Sequence, residues 1–413
     1  MVILDGGRRT PRADILHENR APGLFSCYTA NQLGALALKE TLVATGIDPA
    51  KIGHVFVGNA GQSHRESLYC ARHVGLGAGI PEDVPALTLN RLCGSGAEAI
   101  VQGAKLLLLE DTDRPLVAVG GTESMNYPHL VWGMRGRGVK YGPLTSLPQG
   151  VALQDLLLLA LFDPMAGMSM ASTAELLGRD WGITRERCDE LAFKSQMLAK
   201  AARDAGWFNE EIVPVQVPRN GGVDMMTVCH DTHIRDDASP DKLAGLPPAF
   251  EPGGMVTAGN ASGVVDGAAA MILCRLSTAR TLNLNPLARV VAWGYGACDP
   301  KIMGWGPVPA TKQALKRAEL TGEQMDWVEL NEAFAPQAAA CVKDFAEMGI
   351  DPEKVNPYGG AIALGHPLGA TGSILTLTAA YGLRRTGKRY ALVTMCIGGG
   401  QGISLIIESH RNL

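Results

Sequence analysis

An internal repeat constrains the fold of this 413-residue chain more than any other feature of its sequence. Residues 36–57 predict a helix, a turn and a strand, and residues 311–330 predict the same three elements in the same order. Residues 92–97 also match 368–373, and each segment precedes a predicted helix, a basic turn and an apolar strand. Strands and helices that alternate in this way build parallel sheets covered by helices. We therefore predict an α/β fold of two similar halves packed against each other.

The composition is that of a globular protein, with 46% hydrophobic and 19% charged residues, and the length allows two or three domains. The net charge of -4 gives no reason to expect nucleic acid or an anionic membrane as a partner. The longest apolar runs, such as residues 156–162, fall short of the roughly 20 residues needed to span a bilayer. We expect no membrane span.

The nine cysteines bear on the compartment in which the protein works. No C-x-x-C pair occurs among them, and the N-terminus lacks the order of basic, apolar and small residues of a secretory signal. We therefore expect reduced thiols and no metal site. This predicts a cytoplasmic protein, or one of the mitochondrial matrix if the source is eukaryotic.

One thiol stands at a predicted junction between a strand and a helix. In Asn90-Arg-Leu-Cys93-Gly-Ser-Gly96, the cysteine follows the apolar stretch 84–89 and is expected to open a buried helix that continues to residue 109. Amides at a helix N-terminus favour a thiolate, and the flanking glycines leave room for a carbonyl carbon to approach the sulfur. Cys93 is therefore a candidate nucleophile. A cysteine in apolar surroundings is more often an inert core residue, and this stretch alone does not decide between the two.

Superposing the two halves brings other polar residues to the same region. Asn331 follows, and Cys396 ends, a strand that the repeat equates with one of the first half, and His366 lies just before the segment equivalent to the Cys93 loop. Strand ends and helix starts of such sheets face a shared crevice. We therefore expect Cys93, Asn331, His366 and Cys396 to converge between the halves.

Five motifs together give the chain a resemblance to a known family. They are Asn90-Arg-Leu-Cys-Gly-Ser-Gly96, Val256-Thr-Ala-Gly-Asn-Ala-Ser-Gly263, Asn331-Glu-Ala-Phe334, Gly359-Gly-Ala-Ile-Ala-Leu-Gly-His-Pro-Leu-Gly-Ala-Thr-Gly372 and Cys396-Ile-Gly-Gly-Gly-Gln-Gly402. In this order they resemble the signatures of the thiolase family, essentially from end to end of the chain. Residues 299–309 and 331–337 most resemble the 3-ketoacyl-CoA thiolases of fatty-acid oxidation.

The resemblance implies duplicated halves in α-β-α-β-α layers with an inserted loop domain. It also implies CoA-dependent cleavage of 3-ketoacyl-CoA to acetyl-CoA and a shortened acyl-CoA, or the reverse condensation, through an acyl-cysteine intermediate. Coenzyme A would be a co-substrate, and no other cofactor is expected. The implied partners are CoA, acyl-CoA thioesters and further copies of the chain in a homodimer or homotetramer, since an edge strand must be covered or paired.

The chemistry explains the roles that the resemblance assigns. Cys93 would attack the 3-keto carbon after His366 takes its proton, and Cys396 would protonate the departing carbanion and later deprotonate CoA. A thiol with a pKa of about 8.5 suits proton transfer in both directions. The amides of Cys93 and Gly398 would hold the tetrahedral oxyanion, and His366 with a water fixed by Asn331 would stabilise the enolate.

Four further residues are expected to contact the CoA substrate. Arg235 would lie near the adenine, Ser262 near the pantetheine, and Met170 and Phe334 along the pocket. The alternatives stay open, because Arg235 fits a solvated loop cation, Ser262 a plain turn residue and Met170 a filler of a core gap. Many family members carry a histidine before the methionine, whereas Ser169 stands there in this chain, which puts pocket contacts inferred from those members in doubt.

The repeat also predicts the domain limits. Residues 1–122 with 265–286 would form the first half, and residues 287–413 would form the second. Residues 123–264 have no counterpart in the second half and contain the Pro- and Gly-rich stretches 132–148 and 219–254, so they would form a loop domain that covers CoA.

Three rival functions remain at this point. A biosynthetic acetoacetyl-CoA thiolase would use the same residues in the condensing direction with a smaller pocket. A decarboxylating ketoacyl synthase would need a second histidine where this chain has Cys396. A non-catalytic lipid carrier of the same fold would not need Cys93, His366 and Cys396 together.

Overall fold

A computed structural model describes residues 1–17, 21–110, 113–126, 130–131, 154–219 and 223–412. The strands in these ranges are β1 (Val2–Leu4), β2 (Arg8–Arg9), β3 (Ala13–Asp14), β4 (Leu16–His17), β5 (Ala21–Pro22), β6 (Ile52–Gly58), β7 (Ala86–Leu89), β8 (Leu116–Glu123), β9 (Leu130–Val131), β10 (Gln154–Asp155), β11 (Phe162–Asp163), β12 (Met168–Ser169), β13 (Val215–Arg219), β14 (Asp224–Val228), β15 (Val265–Cys274), β16 (Pro286–Ala297), β17 (Trp327–Leu330), β18 (Tyr390–Ile397) and β19 (Gln401–Ser409).

The described ranges also contain helices that flank these strands along the chain. They are α1 (Ala30–Thr45), α2 (Cys70–Gly77), α3 (Ser95–Leu109), α4 (Leu156–Ala160), α5 (Met170–Asp180), α6 (Arg185–Asp204), α7 (Pro240–Ala244), α8 (Leu276–Thr281), α9 (Pro307–Ala318), α10 (Ala335–Glu347), α11 (Ala361–Leu364) and α12 (Thr371–Thr386). Short 3₁₀ segments lie at Pro49–Lys51, Ser67–Tyr69, Pro300–Trp305, Gly322–Gln324, Pro352–Lys354 and His410–Asn412.

One mixed sheet of 11 strands runs through the molecule in the order β17-β18-β19-β16-β1-β15-β8-β6-β7, with β2 and β3 paired to β15. The repeat is visible in its pairing. In the first half β15 is antiparallel to β8, and β8 is parallel to β6. In the second half β19 is antiparallel to β18, and β18 is parallel to β17. The predicted α/β fold is confirmed, and β1 joins the two parts by pairing with both β15 and β16.

Helices α3 and α12 lie between the two parts of the sheet. Helix α3 contacts β6 and β8 of the first half and β19 of the second, while α12 contacts β17 and β18 as well as β8 and β15. On the outside, α1 and α2 pack against the first half and α9 against the second. This gives the layered order that the resemblance implied.

Two glycines allow α3 and α12 to approach closely. A Cβ at Gly96 would lie 2.8 Å from the amide nitrogen of Ser373, and one at Gly372 would lie 2.3 Å from that of Ala97. Ser373 Oγ donates a hydrogen bond to the Gly96 carbonyl at 3.0 Å. Any side chain at either glycine would therefore push the two halves apart.

The chain between β8 and β15 forms an excursion from neighbouring strands, since Gly267 of β15 pairs with Glu123 of β8. Its described part contains α4 to α7 and the β13–β14 hairpin. The proposed limits 123–264 of a loop domain start and end at these two strands. Of the Pro- and Gly-rich stretches assigned to that domain, 132–148 lies outside the described residues, as do 220–222.

A buried ionic network fastens this excursion to the first half. Arg9 Nε donates to Glu211 Oε1 at 2.7 Å, and Arg9 Nη1 donates to Asp231 Oδ1 at 2.8 Å. Arg12 donates to the same aspartate from its amide and its guanidinium. Burial opposes the charge on Asp231, but Arg12 and Arg9 hold the pKa of its carboxyl well below the usual range. The segment that carries Arg235 is thereby anchored four residues upstream.

Candidate active site

Cys93 lies in a tight turn directly before α3 and does not open the helix itself, contrary to our expectation. The helix begins at Ser95, with Gly94 as its N-cap. Ser95 Oγ accepts the Arg91 amide at 2.8 Å and donates to the Leu92 carbonyl at 2.6 Å. Leu92 adopts a φ of 47°, a left-handed conformation that costs a non-glycine residue about 1–3 kcal/mol. A strained and hydrogen-bonded turn therefore holds the thiol just before the helix.

Burial dominates the charge state of Cys93. It raises the pKa of the thiol to about 12, although the amides of Cys93 and Gly398 hydrogen-bond to the sulfur and lower it. Backbone amides therefore favour the thiolate, but in the free protein the desolvation of the sulfur, which the sequence analysis did not foresee, outweighs them. A reactive thiolate at this position needs a neighbouring base.

His366 has the protonation pattern of such a base. Its Nδ1 lies 2.6 Å from Thr371 Oγ1, and that hydroxyl donates its own proton to the Pro367 carbonyl at 3.0 Å. Thr371 must therefore accept from Nδ1–H, which leaves the lone pair on Nε2. Burial lowers the pKa of His366 to about 4, so the ring is neutral near pH 7 and can accept a proton at Nε2.

Asn331 is fully buried directly after β17 and faces the free side of this ring. Its Nδ2 lies 3.3 Å from His366 Nε2, and its amide nitrogen donates to the Thr394 carbonyl of β18. Within the described part of the chain its Oδ1 is buried and has no hydrogen-bond partner. A buried amide oxygen is normally paired, so this atom is available to a bound molecule in the site.

Cys396 belongs to the second half and lies in the same site. It is fully buried as the second-to-last residue of strand β18, and burial, with added repulsion from Cys93 and Cys341, raises the pKa of its thiol well above the ordinary value. The expected pKa near 8.5 is therefore wrong for the free protein. Gly398 follows in the turn that leads to β19, and a Cβ there would lie 3.1 Å from Leu92 Cδ1, so this turn packs against the Cys93 turn.

Apolar side chains surround both thiols. Cys93 packs in a cluster with Ala60, Met125, Leu368, Ile15 and Leu157. Cys396 packs in a second cluster with Met170, Met303, Ala333, Leu161 and Phe334. Two side chains from near α4, Leu157 and Leu161, thus reach the two clusters separately. Cys396 is fully buried, whereas Cys93 keeps partial exposure. The apolar surroundings strengthen electrostatic interactions between the polar groups among them.

The other residues expected on the pocket side lie on the same wall. Met170 is buried at the start of α5, and Ser169 caps this helix by accepting the Ser172 amide at 3.0 Å. The Ser262 amide donates to the Ala333 carbonyl, and Phe334 forms a bridge to Ala261. The 256–263 loop therefore lies against the Asn331-Glu-Ala-Phe334 motif, next to Cys396.

Arg235 lies in a separate cleft of about 570 Å³. It is exposed, and its Nη2 lies 3.5 Å from Asp14 Oδ2. Asp14 Oδ1 also contacts His233 Nδ1 at 2.6 Å, and His233 packs against Gly263, the residue after Ser262. The Arg235 cleft and the Ser262 loop are therefore adjacent.

Sequence analysis missed several residues that shape the site. Thr371 stands within a motif that we quoted, but only the structure shows it holding His366. Glu123 ends β8 and accepts hydrogen bonds from three backbone amides around the site, and nothing in its local sequence distinguished it from other strand-end carboxylates. Among the described residues, no group of three or more His, Cys, Asp or Glu side chains is arranged to hold a metal ion.

Comparison with known proteins identifies the family. Residues 9–277 match the model of the thiolase N-terminal domain, and residues 284–409 match that of the thiolase C-terminal domain. The chain belongs to the thiolase family, whose enzymes are acyltransferases, and the resemblance recognised in the sequence is confirmed.

Individual relatives cover almost the whole chain. It is 46% identical over 388 residues to the human mitochondrial 3-ketoacyl-CoA thiolase, which covers 94% of both chains. Crystal structures of that human protein, alone and with CoA, superpose with TM-scores of 0.90 and 0.89 at 42% identity over 99% of this chain and 98% of theirs. The Bacillus anthracis acetyl-CoA acetyltransferase gives a TM-score of 0.89 at 34% identity with the same coverage.

One described segment, Leu92–Leu109, is long and apolar enough to cross a membrane by composition alone. It contains α3, and 61% of it is buried inside the protein between the two halves. The structure therefore accounts for its apolar character as that of a core helix.

Proposed function

We propose that the chain catalyses thiolytic cleavage of 3-ketoacyl-CoA by CoA, yielding acetyl-CoA and an acyl-CoA shortened by two carbons. The observation that carries the proposal is that the residues beside Cys93 and Cys396, from different halves, pack against each other. A Cβ at Gly94 would lie 2.6 Å from Ile397 Cδ1, and one at Gly398 would lie 3.1 Å from Leu92 Cδ1. A non-catalytic carrier has no use for a second buried thiol beside the first.

In the first half-reaction, His366 Nε2 takes the Cys93 proton and the sulfur attacks the 3-keto carbon. The amides of Cys93 and Gly398 stabilise the oxyanion. When this intermediate collapses, the bond between C2 and C3 breaks and its electron pair moves to C2 as the enolate of acetyl-CoA. His366 and Asn331 stabilise that enolate, and the Cys396 thiol protonates C2. Acetyl-CoA leaves, and the acyl group remains on Cys93.

In the second half-reaction, the Cys396 thiolate takes the proton of the incoming CoA thiol. The CoA sulfur attacks the Cys93 thioester, the acyl group moves to CoA, and the Cys93 sulfur leaves and recovers its proton from His366. Each thiol ends in its starting state, so the cycle needs no redox partner. The high pKa values of both thiols in the free protein make each proton transfer depend on substrate binding and on the paired base.

For CoA we propose a path from the Arg235 cleft, past Ser262, to Phe334 and Met170. The adjacency of His233 and Gly263 supports a continuous path, and the relative solved with CoA supports CoA as the ligand. Residues 123–264 would form the loop domain over it, between halves formed by 1–122 with 265–286 and by 287–413.

The same site serves a second function, acetyl transfer between two acetyl-CoA molecules in the condensing direction. The likeness to the Bacillus anthracis acetyl-CoA acetyltransferase favours it. The apolar side chains around Cys93, among them Met125 and Leu157, support the first function instead, because an alkyl chain bound to Cys93 would gain contacts that acetyl cannot make.

The chain is proposed to act as a homodimer, alone or as a pair of dimers. Strand β7 pairs with β6, and among the described residues no strand pairs with its other edge. Beside that edge, exposed apolar side chains form a surface that we call the β7 surface: Leu68, Tyr69, Leu76 and Leu87. Pairing of two β7 strands would cover this edge and bury these side chains.

A reducing compartment suits the proposed chemistry, because all nine cysteines are free thiols and two of them carry the reaction. We propose the cytoplasm, or the mitochondrial matrix in a eukaryote.

The test is the rate of CoA-dependent cleavage for a series of 3-ketoacyl-CoA substrates of increasing chain length. We expect kcat/KM to rise from four-carbon to medium-length chains. The control is Cys27→Ala, which removes an exposed thiol that belongs to neither apolar cluster around Cys93 and Cys396 and should leave the rates unchanged. Activity confined to the four-carbon substrate would favour acetyl transfer, and no cleavage of any member would refute the proposal.

A further inference from the structure

Glu123, the last residue of β8, is fully buried and bound by donors from both halves. From the first half, the amides of Ala60 and Gly61 donate to its carboxylate at 3.0 and 3.1 Å, and Asn59 Nδ2 donates to Oε1 at 3.0 Å. From the second half, the Gly369 amide donates to Oε2 at 2.9 Å. A single carboxylate therefore joins two loops that are distant in the chain.

The first set of contacts, which we call the first arm, runs from Glu123 through Ala60 to the proposed nucleophile. Asn90 Nδ2 donates to the Ala60 carbonyl at 3.1 Å, and Asn90 Oδ1 accepts the Leu92 amide at 2.9 Å. Leu92 is the strained residue directly before Cys93. Ala60 also packs in the apolar cluster that contains Cys93. Moving Ala60 would therefore move the Cys93 turn.

The second arm runs from Glu123 through Gly369 to the proposed base. Gly369 lies between His366 and Thr371, the residue that fixes the tautomer of the ring. The fit around Gly369 is close, because a Cβ there would lie 2.8 Å from Asn59 Cα and 2.9 Å from the Ala60 nitrogen. With no room to adjust, the Gly369 amide fixes the position of the His366 loop against the Ala60 loop.

We propose that Glu123 is a positioning residue that sets the spacing between the Cys93 thiol and His366 by bonding to the loops that carry them. The inference rests on the proposed roles of Cys93 and His366. Glu123 itself touches no reacting atom. It acts through the amides it binds, and a neutral amide side chain cannot replace it, because its NH₂ group would face backbone N–H donors.

Glu123→Gln tests the proposal, and Glu329→Gln is its matched control. Glu329 is equally buried, but its carboxylate bonds to Trp327 Nε1 and to none of these loops. We expect Glu123→Gln to lower kcat by about 10²-fold, the cost of a displacement of about 1 Å between reacting groups, while the KM for CoA stays within about twofold of wild type. The control should match wild type in both.

The rate of Cys93 alkylation by iodoacetamide at one fixed pH near neutrality separates positioning from a general loss of stability. The carboxylate of Glu123 raises the pKa of Cys93, so the loss of its charge alone would speed alkylation. A thiol that has moved away from its base loses its proton less readily, so we expect alkylation to slow by about 10-fold in Glu123→Gln and to stay unchanged in Glu329→Gln. A kcat and an alkylation rate equal to those of the control would overturn the proposal.

Asn90→Ala provides a second variant if Glu123→Gln does not fold, because Asn90 is exposed and links only the first arm. Its alkylation rate at the same pH should also fall, and an unchanged rate in folded Asn90→Ala would overturn the proposal. A wild-type protein that is not acylated at Cys93 would remove both this proposal and the function. An active, acylated wild type with an unaffected Glu123→Gln would remove this one alone.

Discussion

His366 Nδ1 and Thr371 Oγ1 are 2.6 Å apart, and the threonine hydroxyl donates onward to the Pro367 carbonyl. The imidazole is thereby fixed with its lone pair on the side of Asn331. If His366 is the base, as proposed, a partner five residues away gives its ring one orientation and one tautomer, so no free energy is lost in selecting them during turnover.

Thr371→Val should remove this constraint while keeping the shape of the side chain. We expect kcat to fall by about 10-fold, corresponding to the loss of a buried hydrogen bond of roughly 1–2 kcal/mol, with little change in the KM for CoA. Thr376→Val is the control, because Thr376 on the same helix bonds only to the Gly372 carbonyl. Equal rates for the two variants would show that Thr371 does not orient the ring.

Cys93→Ala should abolish both turnover and covalent labelling. Incubated with an acyl-CoA donor and no free CoA, the wild-type protein should gain one acyl mass on the peptide that contains Cys93, as expected for a ping-pong nucleophile. Mass spectrometry of the digested protein makes the measurement, with Cys27→Ala as control. An acyl group on another peptide, together with an active Cys93→Ala variant, would contradict the assignment.

Cys396→Ser should separate the roles of the two thiols. A hydroxyl is far harder to ionise than even a buried thiol, so the steady-state rate should fall by at least the ~10²-fold typical of general acid-base catalysis. Cys93 should still be acylated slowly. Cys274→Ser, a substitution of another fully buried thiol, should keep its turnover. A near-normal rate in Cys396→Ser would identify that thiol as a packing residue.

The buried ring of His366 should make stability depend on pH. Its pKa is lowered by burial to about 4 in the folded protein, against about 6.5 in an unfolded chain. Between these values the unfolded state binds a proton that the folded state does not, so stability is full above about pH 6.5 and is lost as the pH falls toward 4. Between pH 7.5 and 5 the loss is about 2 kcal/mol.

Urea unfolding of the wild type and of His366→Asn at these two pH values isolates this contribution, because other titrating groups cancel in the difference. The variant should lose about 2 kcal/mol less than the wild type as the pH is lowered. The same pH dependence in both proteins would show that His366 is accessible to protons in the folded state.

Leu87→Lys should weaken the proposed dimer. Leu87 lies on β7 and is 47% exposed in the single chain, and a charge on each of two paired edge strands would repel. Light scattering at micromolar concentration should give a dimer or tetramer for the wild type and a smaller species for the variant. Val43→Lys, on the outer face of α1, is a control that should leave the mass unchanged. A wild-type monomer with full activity would refute the assembly.

Much of the architecture could be predicted from the sequence, because each copy of the repeat has local patterns of apolar and turn residues. Predicted strands 52–57 and 325–330 correspond to β6 and β17, and hydrophobic periodicity is enough to find such elements. The convergence of Asn331 with His366 also followed, since topology alone brings strand ends together.

The electrostatics did not follow from the sequence. We predicted that the helix terminus would favour a Cys93 thiolate, whereas burial raises its pKa to about 12. Desolvation depends on side chains such as Met125 and Leu157, which are distant in the chain and meet Cys93 only in the folded protein. Glu123 was missed for the same reason, because its four donors come from two separate loops.

The close crossing of α3 and α12 at Gly96 and Gly372 implies that substitutions near the thiols and substitutions in the excursion between β8 and β15 have different effects. Cys93 and His366 are each joined to that crossing by a few residues, so the geometry of bond breaking is set at the centre and tolerates no added methyl group there. Leu157 and Leu161, by contrast, belong to the excursion between β8 and β15. Substitutions in that excursion can therefore change which acyl group the protein accepts, while the arrangement of Cys93 and His366 beneath it stays the same.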